Sequence, residues 1–499
     1  MGTDEWTESI GEKSDIEQCD VAYEYLVQRR MGDESPTEFD AGLRRKIDIW
    51  IMPFLCMIYF LQFLDKTLLN YSAAMGIKKG LKGNEFSNLG TIFYASYIFA
   101  EPFMSYVLQT KRLAKSLSVC IILWGVVLAA HAACKTYASL MIVRTLLGIL
   151  ESSSALGVIA IGNMYYTKSE QASRIGYWSV HSGTATMAGA LLSFAFQHVR
   201  TTRFVSWQIL FLVVGLATVL FGVVAWFYLP DNVTNAWFLD DDEKMATLEH
   251  IRGNLTGTES KTCKRSQVYE LFFRDKFTWP MLLLTATSQI VTGAIGTFSV
   301  TIIGTFGFNS YVSALVQIPL GAIIVIIILI VTQLVSYFGN ITIIMASMFV
   351  PSVIGAIAML CLDLTKQKVG NLLSLYLLYS GSCAISLIYV WNTVNTAGHT
   401  KRMLRNALTM ICFSLSSLLG PQMFRASEFP HYTSAKIAIL VTQAVSIPLA
   451  LGIGYITKKE NYRRDCNSQQ SETQSSVPTK EFEFLDLTDN ENSHFRYLI

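Results

Sequence analysis

Between residues 277 and 362 the chain carries no Asp, Glu, Lys, Arg or His. A stretch of that length without charge has no regular way to meet water, and it is too long for one buried element. It must cross a lipid bilayer more than once. The rest of the chain follows the same plan, being 52% hydrophobic and only 15% charged over 499 residues, a balance foreign to water-soluble domains. Apolar runs of about the 20 residues that spanning requires lie near 48–77, 86–108, 116–134, 138–161, 172–197 and 207–229. Six more lie near 279–304, 311–336, 341–361, 371–391, 406–424 and 435–456. The expected fold is an all-α membrane protein with twelve transmembrane helices in two six-helix halves.

The domain plan follows from the polar segments. Residues 1–46 form an N-terminal segment without the apolar run of a cleaved signal peptide. The first half covers 47–229 and the second 279–457. Between them, 230–278 opens on Asp240-Asp-Asp-Glu243 and turns basic at Lys261, Lys264 and Arg265, which reads as a solvated linker. Residues 458–499, rich in Ser, Gln, Glu and Asn, read as a disordered tail. Most of the 39 Lys and Arg fall on connections that are cytoplasmic if both termini lie inside, which sets the expected orientation. Of the glycosylation sequons, only Asn70-Tyr-Ser then falls on the outer side, close to the membrane.

Several functions are excluded by what is missing. The net charge of +2 and the lack of a basic, aromatic-laced run give no footing for nucleic acid. Nine cysteines are scattered singly and the histidines are dispersed, so no metal site, disulfide scaffold or cofactor is expected. No nucleophile and base are clustered, so the chain is not expected to be an enzyme.

Charges inside the spans are the informative exceptions. Arg144 and Glu151 share an apolar run with no other charge; seven positions apart, they lie on one helix face about 10 Å apart, with Gly148 between them. A charge near the bilayer centre costs roughly 2.5–3.5 kcal/mol, so this face must meet a cavity or another helix. Either it pairs an anion-binding guanidinium with a proton-accepting carboxylate, or it is a structural ion pair. Asp65 and Lys66 sit inside the first span, where Lys66 either lines a cavity or snorkels to the interface. Glu101 precedes Pro102 in the second, and His181 leads into the small-residue run Ser182–Ala190, suited to close helix packing. With 277–362 uncharged, the second half can offer a site only neutral groups, of which Gln289, Tyr379, Trp391 and Asn392 are candidates.

The stretches Phe63-Leu-Asp-Lys-Thr-Leu-Leu-Asn-Tyr71, Phe93-Tyr-Ala-Ser-Tyr97, Arg144-Thr-Leu-Leu-Gly-Ile-Leu-Glu-Ser152, Leu229-Pro-Asp231 with Ala236-Trp-Phe-Leu239, and Asn395-Thr-Ala-Gly-His-Thr-Lys-Arg402 with Gly420-Pro-Gln422 resemble the fungal allantoate permease family. That family is an anion:cation symporter branch of the major facilitator superfamily, and the resemblance covers about residues 40–460. It implies the major facilitator fold, with a midplane site between the halves, and import of a small organic anion with protons: a ureido acid such as allantoate, a dipeptide, or a carboxylate vitamin such as nicotinate or pantothenate. It further implies that Arg144 and Lys66 contact the substrate and that Glu151 carries the proton. From their place in the spans, the neutral groups of the second half are further candidates for substrate contact, and Asp65 and Glu101 for proton coupling. Two departures stand out: Leu156 replaces a proline common in the fourth helix, and Gln109–Lys115 lacks the superfamily's Gly and Asp. The alternatives are a nutrient-sensing receptor with the transporter fold or a drug:proton antiporter. A monomer in the plasma membrane is expected, with the endoplasmic reticulum as the other location.

Overall fold

The computed structural model describes residues 39–199, 204–252, 264–364, 366–471, 488–492 and 495–498; Cys19, Cys263 and Asn254 lie outside them. The described residues are helical, with no strand. The first half contains α1 (Ala41–Ala74), α2 (Glu85–Thr110), α3 (Leu113–Ala130), α4 (Tyr137–Tyr165), α5 (Lys168–Ser179), α6 (His181–Gln197) and α7 (Ser206–Tyr228). The connection between halves holds α8 (Asp241–Arg252) and α9 (Arg265–Phe273). The second half contains α10 (Thr278–Thr305), α11 (Ser310–Leu315), α12 (Gln317–Phe338), α13 (Ile341–Cys361), α14 (Lys368–Leu378), α15 (Ala384–Val394), α16 (His399–Gln422) and α17 (Thr433–Ser471).

Every apolar run read from the sequence is helical, and among the described residues ten helical stretches are long and apolar enough to cross a membrane. The fifth and tenth are broken, at Val180 between α5 and α6 and through a 3-10 turn at Tyr379–Cys383 between α14 and α15. Helix starts follow local chemistry: the Asp40 carboxylate accepts the Leu43 N–H at 2.7 Å to begin α1, and Thr136 and Ser139 cap each other's backbone to begin α4.

Packing repeats between the halves. The first span packs on the fifth and the third on the sixth (α1 with α6, α3 with α7), as α10 does with α16 and α13 with α17. The halves meet through α1 with α10, α2 with α16, α6 with α12 and α5 with α15. The run Ser182–Ala190 does serve packing: a Cβ added to Gly183 would lie 2.5 Å from the Gly321 carbonyl oxygen, and one on Gly321 2.6 Å from that of Gly183. Backbones of opposite halves therefore touch where α6 crosses α12.

One end of the bundle is tied shut across the halves. Asn70 donates to Ser299 Oγ at 2.7 Å and accepts the Val300 N–H at 3.0 Å. Lys78 Nζ donates to Thr301 Oγ1 at 2.7 Å, Ser87 to the Pro421 carbonyl at 2.7 Å, and Gln422 to Thr91 Oγ1 at 2.7 Å. These groups lie where α1, α10 and α16 end and α2 begins, the end read as outer from the charge distribution. The amide of Asn70 is thus buried in this seam. At the opposite, inner end, Trp178 of α5 faces Tyr389 of α15 with ring centroids 6.4 Å apart.

Two expectations about the polar segments need correcting. The linker is not simply solvated: Trp237 and Phe238 pack on Trp50, and Met245, Leu248 and Ile251 are buried. Lys46–Glu243 at 2.6 Å and His250–Glu170 at 3.1 Å fasten α8 to the first half. The tail is not disordered from 458, since α17 continues to Ser471 and residues 488–492 and 495–498 pack on the inner end of the second half. Apolar and ion-pairing side chains spaced among polar ones give these segments something to bury, which composition alone conceals.

Candidate functional site

The charged residues of the first half converge. Because α1 presents Asp65 and Lys66, α2 presents Glu101 and α4 presents Arg144 and Glu151, three helices deliver five ionisable groups to one region. Asp65, Glu101, Arg144 and Glu151 are all buried and Lys66 is 10% exposed by its side chain, so none faces lipid. Gly148 sets the approach of α4 to α2: a Cβ there would collide with the Phe93 carbonyl and the Ser96 hydroxyl. Only a residue without a side chain lets these backbones come together, and that contact levels Tyr97 with the acidic end of the stripe.

Lys66 Nζ lies 3.1 Å from Glu151 Oε1. It also sits over three aromatic faces, Phe63 at 5.3 Å, Tyr97 at 5.5 Å and Phe413 at 5.7 Å, which hold a cation by its attraction to the ring quadrupole. Phe413 belongs to α16, so the lysine points into the seam between halves and does not snorkel. Asp65 Oδ2 accepts the Trp124 indole N–H at 2.6 Å, leaving Oδ1 without a partner. Arg144 lies 5.5 Å from the centroid of Phe211, whose ring stacks on His131 at 4.6 Å, and its Nη2 has no hydrogen-bond partner. Both oxygens of Glu101 are also unpartnered. Buried polar groups are almost always satisfied, so so many unmet donors and acceptors mark a region completed by something else: a ligand, a proton or water.

The neutral candidates of the second half divide. Tyr379, in the turn between α14 and α15, is close enough to interact electrostatically with Tyr94 and Tyr71 of the first half. Gln289 does not reach across; its amide donates to Ser288 Oγ and the Ser382 carbonyl and accepts from Thr292 at 2.8 Å, all within its own half. Asn392 donates to Thr409 at 2.9 Å. Trp391 packs on Phe277 at 5.4 Å and under Arg405 at 5.8 Å, near the inner end. Gln289 is answered within its own half, whereas Asn392 Oδ1 and the Trp391 indole Nε1 are buried without a hydrogen-bond partner. The second-half groups that do approach are aromatic: Phe413, and Tyr389, which interacts with Glu101. His181 is half-buried and contacts Thr184 Oγ1 at 3.1 Å.

A second charged cluster was not foreseen. At the inner end Lys401 pairs with Glu270 at 2.8 Å, with Asp489 at 2.7 Å and with Asp275 at 3.9 Å, while Arg405 pairs with Asp275 and donates to Thr396 at 2.7 Å. Burial opposes the charge of Asp275, but Arg405 and Lys401 outweigh it and hold the carboxyl below the usual carboxylate range. Among the described residues, no group of His, Cys, Asp and Glu is placed to hold a metal ion.

Comparison with known proteins agrees with this architecture. The Major Facilitator Superfamily model matches residues 55–421. The chain is similar to the thiamine pathway transporter THI73 of Saccharomyces cerevisiae, 57% identical over 501 residues and covering 97% of this chain and 94% of that protein. Allantoate permease of the same organism is 30% identical, covering 93% and 88%. In three dimensions it resembles an inward-facing, unoccupied bacterial homologue of the human lysosomal transporter Spinster, with TM-score 0.62, 14% identity and coverage of 84% and 97%. The proton:xylose symporter XylE, bound to 6-bromo-6-deoxy-D-glucose, gives TM-score 0.62 at 12% identity, covering 80% and 94%. At those identities the structural likeness speaks for the fold alone. These relatives are named as transporters and permeases, not enzymes, and this multi-pass membrane chain belongs to the major facilitator superfamily, as a transporter of the fungal branch that includes allantoate permease.

Proposed function

We propose that this transporter imports a small organic anion together with protons, by alternating access of the two halves, in the plasma membrane with both termini inside. The observation that carries this reading is the Lys66–Glu151 pair at 3.1 Å beside a guanidinium with an unpartnered nitrogen. While Glu151 is ionised, it occupies the lysine. A proton on Glu151 cancels that attraction and leaves two cations, Lys66 and Arg144, for a carboxylate. Arg144 offers a planar fork that matches such a group in two hydrogen bonds. Lys66 also touches Phe413 of the other half, so anion and proton together change the contacts across the seam that rocks.

Among the relatives, a ureido acid follows by analogy with allantoate permease, and a vitamin or vitamin precursor by analogy with the thiamine pathway transporter; thiamine itself is a cation without a carboxylate. One observation favours a second reading. The cluster holds three carboxylates against two cations, and with all three ionised it suits a cation exchanged for protons, as in a drug:proton antiporter. Uptake of radiolabelled allantoate, nicotinate, pantothenate and thiamine into proteoliposomes with an imposed pH gradient, with and without an uncoupler, separates the two. Anion symport predicts accumulation when the outside is acidic, abolished by the uncoupler and made pH-independent by Glu151→Gln. Accumulation of a cation under the opposite gradient, or proton-driven uptake undiminished in Glu151→Gln, overturns it.

A further inference from the structure

We propose that residues 488–492 and 495–498 act as a strap that holds α15 in its closed position at the inner gate, so that lifting the strap lets the inner end open more readily. Its seat is the motif Asn395–Arg402 together with α9. Asn395 exchanges two hydrogen bonds with the Leu498 backbone, donating to its carbonyl at 2.8 Å and accepting its N–H at 2.6 Å. Asp489 is buried against Lys401 at 2.7 Å. Its second oxygen accepts the Tyr497 hydroxyl at 2.7 Å, and Arg464 of α17 donates to its backbone carbonyl at 2.8 Å. Thr488 and Asn490 donate to the two oxygens of Glu270 at 2.8 and 2.7 Å. A segment with no purpose at this site would not bury an aspartate, because an unpaired buried charge is costly and the pair must be assembled on folding.

The strap reaches the gate through packed rings. Tyr497 lies 4.8 Å from Phe277, and Phe277 lies 5.4 Å from Trp391 of α15. Two residues before Trp391, Tyr389 faces Trp178 of the first half. Two residues after it, Thr393 lines the inner groove with Gln171 and Arg174 of α5. The helix that the strap braces is therefore the one whose other face closes the inner mouth, and that mouth is the element with two arrangements. The hydrogen bonds and ion pairs that seat the strap run to α9, α17 and the Asn395–Arg402 motif, so it acts by fixing α15.

Amide hydrogen exchange of the full-length protein in lipid nanodiscs, read by mass spectrometry, tests this without a substrate and so independently of the anion reading. In Asp489→Ala and Tyr497→Ala, peptides covering 384–394 and 168–179 should exchange at least about tenfold faster than in the parent, along with 488–498. Tyr497→Phe keeps the ring on Phe277 while removing the hydroxyl from Asp489, and should give a smaller loosening in a protein that folds normally. Faster exchange confined to 488–498 and its seat, or spreading to 384–394 but not to 168–179, overturns the proposal, as does no change anywhere.

Discussion

The two buried charge clusters of this transporter differ in how fully their members satisfy one another. At the inner end, Lys401, Arg405, Glu270, Asp275 and Asp489 are cross-bonded, each acid facing at least one base or donor, although Arg405 Nε has no hydrogen-bond partner. Midway along the spans, Asp65, Lys66, Glu101, Arg144 and Glu151 share one ion pair and one indole bond, and several of their polar atoms are left over. Both clusters are costly to desolvate. Groups that satisfy one another have no reason to exchange partners, whereas groups left short are completed by whatever comes and goes. On the proposed reading, the contrast sets a structural joint against the proposed transport site.

The contrast breaks most visibly at the inner joint. Asp275→Ala leaves Arg405 buried without its carboxylate and should destabilise by about 3–5 kcal/mol, seen as a melting temperature several degrees lower in detergent. Arg144→Lys should hardly move that temperature, yet raise KM for the transported anion about tenfold or more, because a point charge replaces a two-bond fork. If the two substitutions cost similar stability, the distinction fails.

A smaller effect is expected at the outer seam. Burial pushes the Lys78 ammonium from 10.5 down to about 8, although the faces of Phe86 and Phe298 at 4.4 and 5.3 Å offset part of this. A lysine whose value falls on closure favours the closed form fully above about 10.5, and that favour is lost as pH drops through about 8. Lowering the pH from about 10 to about 8 therefore eases opening of this end, and below about 8 the lysine is protonated in both forms and adds no further dependence. Spin-label distances across it should report closure strengthening between pH 8 and 10, and Lys78→Met should flatten the curve. The smallest effect belongs to Glu101→Gln: replacing a buried carboxyl that has no hydrogen-bond partner by an amide of the same shape should change stability by less than about 1 kcal/mol, or raise it.

Legibility followed the same divide. Helices were readable because lipid imposes length and apolarity on each span, and the run 277–362 advertised this without ambiguity. Asp65, Lys66, Glu101, Arg144 and Glu151 were readable because charge in such a span must have a reason. Phe413 and Tyr389 were not, since an aromatic residue in an apolar helix gives no sign of whether it faces lipid or lysine. For Gln289 the converse holds: its amide is answered by its own half, which the sequence does not show. The seat Asn395–Arg402 stood out as a motif, but its occupant lies some ninety residues further on, beyond the reach of local pattern.

The crossing of Gly183 over Gly321 carries its own consequence. If the halves rock as proposed, two main chains in contact there would act as a fulcrum near which little displacement is possible, while the two mouths, farther from it, would swing more widely. A methyl group at either position would act as a wedge beside a hinge, its small local shift enlarged at both rims. Such a change is expected to disturb the timing of the cycle while leaving untouched every group that handles cargo.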